Sequence, residues 1–261
     1  MIQYSISIAE LEFFLLVLVR VTCFIQAAPF FGMNQVPQQA KITLGVFLSY
    51  LIYYSTMPHE QIIYETVLQY STIVLREAVV GLTIGWAANI CSSIVFFAGR
   101  MVDMEIGLSM ANAIDPTTRE NATLTGFYYQ YTVMLILMVS GMHRYLITAF
   151  VESYQLIPVN RARIEYGSIV DALSKYLSNY VNLGFRICLP IFCVIMITNV
   201  VLGILAKVAP QMNMFAVGMQ IKILIGFSVM LMTTAMLPYI SDFIYSQMKV
   251  MIVSVVEAFM T

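Results

Sequence analysis

Four long runs without a charged residue constrain this chain more than any other feature of its sequence. They cover residues 78–99, 121–143, 187–206 and 223–241, which are 22, 23, 20 and 19 residues long. Each run is long enough to cross the roughly 30 Å hydrocarbon core of a bilayer as an α-helix. Only 10% of the 261 residues are charged, whereas about a quarter are charged in a soluble domain. A soluble fold is therefore excluded.

Two shorter apolar runs complete the predicted fold. Residues 42–59 form one of them, and residues 13–31 form another that is interrupted by Arg20. We predict an all-α integral membrane protein with about six long, partly broken apolar helices that form hairpins. If all six runs span, five lysine and arginine residues fall on one side and six on the other. The positive-inside rule therefore predicts no orientation.

Residue types that build catalytic and metal sites are sparse in this sequence. The two histidines, His59 and His143, belong to no HxxH or HExxH pattern. The four cysteines lie in apolar stretches without CxxC spacing, which is typical of small buried hydrophobic residues. We expect no catalytic residue, no metal ligand and no cofactor. The net charge of −1 offers no basic surface for nucleic acid.

Arg76 and Glu77 stand immediately before the run 78–99. Neighbouring residues on a helix point about 100° apart, so these two side chains are poorly placed to pair with each other. Each would cost about 2.5–3.5 kcal/mol in the centre of a bilayer, so we predict buried polar contacts with other helices or subunits. A proton relay is the alternative. Gly81 and Gly85 follow as a GxxxG pattern, which favours close helix packing.

The segment DMEIGLSMANAIDP mixes methionines and other apolar residues with acidic and small ones. Methionine is flexible and polarisable, so it can close around a surface of changing shape. The apolar residues Met104, Ile106, Leu108 and Met110 are candidates for a deformable seal in a pore. Ordinary packing of an interfacial helix is the other interpretation.

The stretch LAKVAPQMNMFAVGMQIK, residues 205–222, separates two of the most apolar runs. Pro210 has no amide hydrogen and disfavours helix at the residue before it, so we predict that the helix ends there. A water-exposed turn of a helical hairpin is the simplest interpretation. However, large apolar side chains such as Phe215 would remain exposed at this turn unless a partner or membrane covers them.

The same stretch, extended to GILAKVAPQMNMFAVGMQIKILIG, closely resembles the signature of the FliR family of flagellar type III export-gate proteins. The resemblance continues in order along the chain, in RVTCFIQAAPFFGMNQVPQQAKITLGVFLS, GRMVDMEIGLSMANAIDPTT and GMHRYLITAFVESYQLIP. One departure is GMHRYL, where the family pattern has a histidine directly after the glycine. These blocks extend over nearly the whole chain, and together they are more specific than any single motif.

The resemblance implies a single export-gate membrane domain, residues 1–261, in the bacterial inner membrane at the flagellar basal body. The implied partners are FliP-type and FliQ-type proteins, an FlhB-type switch protein, membrane lipid and unfolded flagellar export substrates. Together the subunits would form a hetero-oligomeric helical channel without enzymatic activity. The resemblance also implies a plug within residues 103–122, which contain the seal candidates. We expect Pro210, Asn213 and Phe215 to form a hairpin tip that packs against neighbouring subunits.

Two other functions compete with an export gate. A stand-alone small-molecule or ion transporter is compatible with helices broken at Pro190, Pro210 and Pro238. Against it, acidic residues are scarce inside the apolar runs and no inverted repeat is visible. An intramembrane enzyme ranks last, because no nucleophile and base are paired. The injectisome secretion systems contain a homologous subunit, so the resemblance supports an export role more firmly than a flagellar one.

Overall fold

The computed structural model describes residues 8–57, 62, 64–111, 123–162, 166–211 and 213–259. Within these ranges the chain forms helices and no strands, which confirms the all-α prediction. The α-helices are α1 (Ile8–Ala27), α2 (Gln38–Ser55), α3 (Val67–Ile106), α4 (Leu124–Val139), α5 (Met142–Leu156), α6 (Tyr166–Val208), α7 (Met214–Thr233) and α8 (Leu237–Ala258). Short 3₁₀ helices cover Leu108–Ala111 and Thr234–Met236.

Fewer helices are suited to span a membrane than the six apolar runs suggested. Among the described residues, three helical stretches are long and apolar enough, namely Val67–Ile106, Tyr180–Val208 and Phe215–Ala258. A fourth span results if α4 and α5 are counted together. Most of the run 13–31 lies in α1 and most of the run 42–59 lies in α2, and neither helix is among the three. The reason is that α1 carries three charged residues and α2 begins with a polar turn. Residues 58 and 59 lie outside the described part of the chain.

Two of the longest helices continue through residues that often interrupt a helix. α3 has 40 residues and passes through Gly81 and Gly85 without a break. α6 has 43 residues and contains Pro190 in its interior. Pro190 therefore does not end a helix, and Pro238 lies in the first turn of α8, a position that tolerates proline. Of the three proline positions that suggested a transporter, only Pro210 separates two helices.

The chain divides into two compact units, each made of separate stretches. The first unit comprises the described parts of Met1–Cys91, Gly141–Tyr176 and Ser246–Thr261. Here α1 packs along α2, and the rings of Phe24 and Phe150 stack with their centroids 4.0 Å apart. This stack joins α1 to α5 in the core of the first unit.

A buried lysine closes the turn between α1 and α2. The backbone of Phe30 is left-handed, with φ of 69°, and this turn reverses the chain before α2. Lys41 is buried, and its Nζ donates a hydrogen bond of 3.0 Å to the carbonyl oxygen of Gly32. The lysine therefore satisfies a turn carbonyl that has no partner in a regular helix.

The second unit comprises the described parts of Ser92–Ser140 and Leu177–Tyr245. Aromatic contacts join its helices. The rings of Phe96 on α3 and Phe127 on α4 have centroids 5.5 Å apart, and those of Phe97 on α3 and Tyr180 on α6 are 5.8 Å apart. The single domain over residues 1–261 stays a prediction.

Candidate functional site

A fully buried charge pair lies in the core of the first unit. Nη1 of Arg20 on α1 is 3.5 Å from Oε2 of Glu77 on α3, and both side chains are completely inaccessible to solvent. Arg20 also donates hydrogen bonds to the carbonyl oxygen of Ile157 at 2.9 Å and to Oγ of Ser153 at 3.2 Å. Such compensation is required, because a buried charge without partners is strongly destabilising.

Further contacts extend this cluster. Oε1 of Glu77 accepts a hydrogen bond of 2.9 Å from the backbone amide of Asn160, whose left-handed φ of 68° is one that asparagine tolerates. The guanidinium carbon of Arg20 lies 4.2 Å from the ring centroid of Tyr154, which favours a cation–π contact. The hydroxyl group of Tyr154 donates to the carbonyl oxygen of Val17. The cluster therefore joins α1, α3, α5 and the turn after α5.

The predicted pair Arg76 and Glu77 divides between two environments. Glu77 is buried, whereas Arg76 is exposed on another face of α3, so a contact of Arg76 with another subunit stays a prediction. The helical rotation of about 100° per residue explains the difference. The cation beside Glu77 is Arg20, which sequence reasoning treated only as an interruption of an apolar run. The available signal was a cation inside one apolar run, Arg20, and an anion at the edge of another, Glu77.

Gly81 and Gly85 lie where the backbone of α1 comes closest to α3. A Cβ atom added to Gly81 would be 2.1 Å from the carbonyl oxygen of Arg20, and one added to Gly85 would be 2.7 Å from that of Phe24. Both obstacles are backbone atoms, which cannot rotate away. The small residues therefore allow the close approach that brings Arg20 to Glu77.

Close to the start of α3, a carboxylate of α1 accepts a hydrogen bond from a phenol. The hydroxyl group of Tyr64, which precedes α3, donates to Oε1 of Glu12 on α1. This hydrogen bond is the main reason that the pKa of Tyr64 is raised above its ordinary value. The phenol therefore remains a hydrogen-bond donor to a higher pH than an unperturbed tyrosine would.

The seal candidates begin at the C-terminus of α3, in the second unit. Gly107 has φ of 91°, and its amide donates a hydrogen bond of 3.1 Å to the carbonyl oxygen of Asp103. This is the αL end of a helix, in which a glycine takes the left-handed conformation. The chain then continues into the 3₁₀ helix Leu108–Ala111. Met104 and Ile106 therefore belong to α3, whereas Leu108 and Met110 belong to the 3₁₀ helix after the turn.

The four seal candidates have different surroundings. Met104 is 64% exposed and Leu108 is half-buried. Ile106 is fully buried, and its Cδ1 is 2.5 Å from the position of a Cβ added to Gly226 on α7. In this conformation Ile106 anchors the end of α3, so it is not available to a channel as predicted. The side chain of Met110 and residues 112–122 lie outside the described part of the chain.

Asp103 is a buried residue whose role sequence reasoning missed. Its carboxylate accepts hydrogen bonds from the backbone amide of Thr125, at 3.1 and 3.3 Å, and from that of Gly126. These amides belong to the first turn of α4, and Thr123, the residue before α4, makes no side-chain cap. Asp103 therefore caps α4 from α3, where the helix dipole also favours a negative charge. Because this cap is 22 residues distant in sequence, no local capping pattern marks it.

The hairpin-tip candidates lie between α6 and α7. The last residue of α6 is Val208, and Oδ1 of Asn213 accepts a hydrogen bond of 3.4 Å from the amide of Ala216 at the start of α7. Pro210 is exposed, and Phe215 is 68% exposed. The helix break at Pro210 thus follows the sequence pattern, with Asn213 as the N-terminal cap of the next helix.

One cavity brings the seal and tip candidates together. It measures about 380 Å³ and is lined by Met104, Ile106 and Phe215, among other residues of the second unit. Glu105 and Lys222 also line it. Met104 and Ile106 therefore share a cavity with Phe215, which is more than a hundred positions later in the chain.

Comparison with known proteins settles the family. The sequence model of the family described as "Bacterial export proteins, family 1" matches residues 11–248. The chain is also 32% identical to the flagellar biosynthetic protein FliR of Bacillus subtilis (strain 168), over 82% of this chain and 83% of that protein. The chain belongs to the FliR family of bacterial export proteins.

More distant FliR proteins match over similar lengths. The flagellar biosynthetic protein FliR of Escherichia coli (strain K12) is 24% identical over 87% of this chain and 84% of its own. That of Aquifex aeolicus (strain VF5) is 24% identical over 82% of each chain. These matches confirm the resemblance to the FliR family that the sequence blocks indicated, and they associate the chain with flagellar biosynthesis and export.

Proposed function

We propose that this FliR-family protein is a structural, non-enzymatic subunit of the flagellar type III export gate in the bacterial inner membrane. In this proposal it forms a channel with FliP-type and FliQ-type proteins, beside an FlhB-type switch protein, and unfolded flagellar subunits leave the cytoplasm through that channel. The single observation that carries the proposal is the family match over residues 11–248. A match of this length includes both compact units.

The exposed apolar surface supports an assembly. Only 11% of the most apolar stretch within Phe215–Ala258 is buried, and only 28% of that within Tyr180–Val208. Apolar helices left so open require cover from lipid or from other apolar helices. Neighbouring subunits of a helical channel would supply part of that cover.

The proposal extends to a seal within residues 103–122. Met104 is exposed beside Phe215 in the cavity of about 380 Å³, so it is available to other subunits. Ile106 would hold the end of α3 in place, and Gly107 would direct the following residues away from the helix. Methionine suits such a surface because it adapts its shape.

Native mass spectrometry tests the assembly. The tagged chain would be co-expressed with its neighbouring genes and extracted in mild detergent. We expect a large complex with one copy of this chain and several copies of two smaller helical proteins. A monomer or homodimer, with both partners expressed, would refute the gate and favour a stand-alone transporter.

The hairpin tip and the seal need separate tests. Phe215→Ala should reduce the yield of the complex. Phe215→Leu, which keeps a large apolar side chain, should leave the yield close to that of the wild type. For the seal, Met104→Ser should increase ion leakage through the purified complex in vesicles. Leu135→Ser is the matched control, because Leu135 is 65% exposed on α4. Equal leakage from both serine variants would refute the role of Met104 in the seal. The assembly proposal would not be affected.

A further inference from the structure

A second cavity, of about 270 Å³, lies in the second unit between α6 and the break that separates α7 from α8. Pro190 lines it from inside α6, and Met236 lines it from the 3₁₀ helix Thr234–Met236. Two irregularities in apolar helices therefore face each other and leave a gap. Regular helices with this composition would pack more closely.

The walls of this cavity are apolar, with a single charged residue. Leu183 and Ile187 line it from α6, and Phe243 lines it from α8. The hydroxyl groups of Tyr129 and Thr233 lie 3.5 Å apart, and that of Thr233 also donates to the carbonyl oxygen of Met230. Arg186 is the charged member of the lining, and its side chain is exposed.

Arg186 has no counter-ion within the described residues, since none of their carboxylates lies within ion-pair distance of it. It stands six residues after Tyr180, the first residue of the apolar stretch Tyr180–Val208, which is about 9 Å along a helix. If this stretch crosses a bilayer, an arginine at that position extends its guanidinium group towards the headgroup region. A facing apolar helix would leave its charge buried and unpaired, which is strongly disfavoured.

We propose that this cavity binds one anionic phospholipid. Arg186 binds the phosphate group in a charge-assisted hydrogen bond, and one acyl chain lies along Leu183, Ile187 and Phe243. Basic pockets between apolar helices bind anionic headgroups in this way. The lipid supplies both the missing counter-charge and the apolar atoms that fill the gap beside Pro190.

The test is native mass spectrometry on the purified chain, together with the subunits that co-purify with it. A detergent wash first removes loosely bound lipid. Phosphatidylglycerol and a diacylglycerol with the same acyl chains are titrated separately. We expect one phosphatidylglycerol per chain, bound at least tenfold more tightly than diacylglycerol. Arg186→Gln should weaken phosphatidylglycerol binding about tenfold, and Arg100→Gln should not, because Arg100 is an exposed arginine of the same unit outside this cavity.

A second variant tests the acyl-chain position without changing charge. Ile187→Trp fills the cavity and should weaken the binding of both lipids, while the chromatographic profile of the protein stays unchanged. Equal binding of phosphatidylglycerol to the wild type, Arg186→Gln and Ile187→Trp would overturn the proposal. A photocrosslinker at Leu183 that captures another protein chain rather than lipid would also overturn it, because a subunit would then occupy the cavity.

Discussion

Replacing Gly81 with alanine tests the close contact between α1 and α3. The added Cβ would lie 2.1 Å from the carbonyl oxygen of Arg20, so the helices must separate by about 1.3 Å to reach ordinary van der Waals contact. Overpacking of this kind costs about 1–3 kcal/mol. The cost should lie towards the upper limit, because separation of the helices also lengthens the contact between Arg20 and Glu77.

Gly203→Ala is the matched control, since a Cβ added to Gly203 in α6 meets nothing within 4 Å. Alanine is favoured over glycine inside a helix by up to about 1 kcal/mol, so this variant should be unchanged or slightly more stable. The assay is thermal unfolding in detergent, followed by the fluorescence of Trp86, the only tryptophan in the chain. We expect Gly81→Ala to unfold roughly 6–12 °C lower than the wild type, since a chain of this size loses about 2–4 °C per kcal/mol. Equal unfolding temperatures for the two variants would refute the close-contact argument.

Three further substitutions address the buried charge, the helix cap and the left-handed turn. Glu77→Gln leaves the buried arginine of α1 without its counter-charge and should cost about 3–5 kcal/mol of unfolding free energy. Arg76→Gln, at an exposed position, should change the unfolding free energy by less than about 0.5 kcal/mol. Similar values for the two variants would contradict the pairing. Asp103→Ala should speed hydrogen exchange at the first amides of α4 and cost about 1–2 kcal/mol, and Glu105→Gln should leave that exchange unaltered if the cap is specific. Gly107→Ala forces alanine into a left-handed conformation and should lower stability by about 1–2 kcal/mol in the same thermal assay, a loss that disappears if α3 ends differently in solution.

The buried charge cluster was predictable only in part. A carboxylate next to an apolar run needs a partner, and this need singled out Glu77 without naming the partner. Arg20 is 57 positions earlier in the chain, and adjacent Arg76 was an equal candidate for burial until the orientation of α3 was known. The orientation depends on which face of α3 packs against α1. Apolar residues are spread around most of α3, so sequence periodicity does not mark that face.

The seal candidates show the same limit in another form. Their alternation of methionine, acidic and small residues indicated a specialised segment, and its glycine is where α3 ends. However, Ile106 packs against Gly226 and Asp103 caps α4. Both contacts are made by residues distant in sequence, so a local pattern cannot distinguish an anchoring side chain from an exposed one.

By itself, the sequence determined the all-α membrane class, the helix break at Pro210 and the FliR family. Each depends on a local or cumulative property: charge-free length, the missing amide hydrogen of proline, or the order of several blocks that resemble the family. The tertiary structure alone decided that Arg20 pairs with Glu77, that Ile106 is buried and that Arg186 lines a cavity. These features arise where particular helix faces meet, and in helices that are apolar on every side only the packing itself selects those faces.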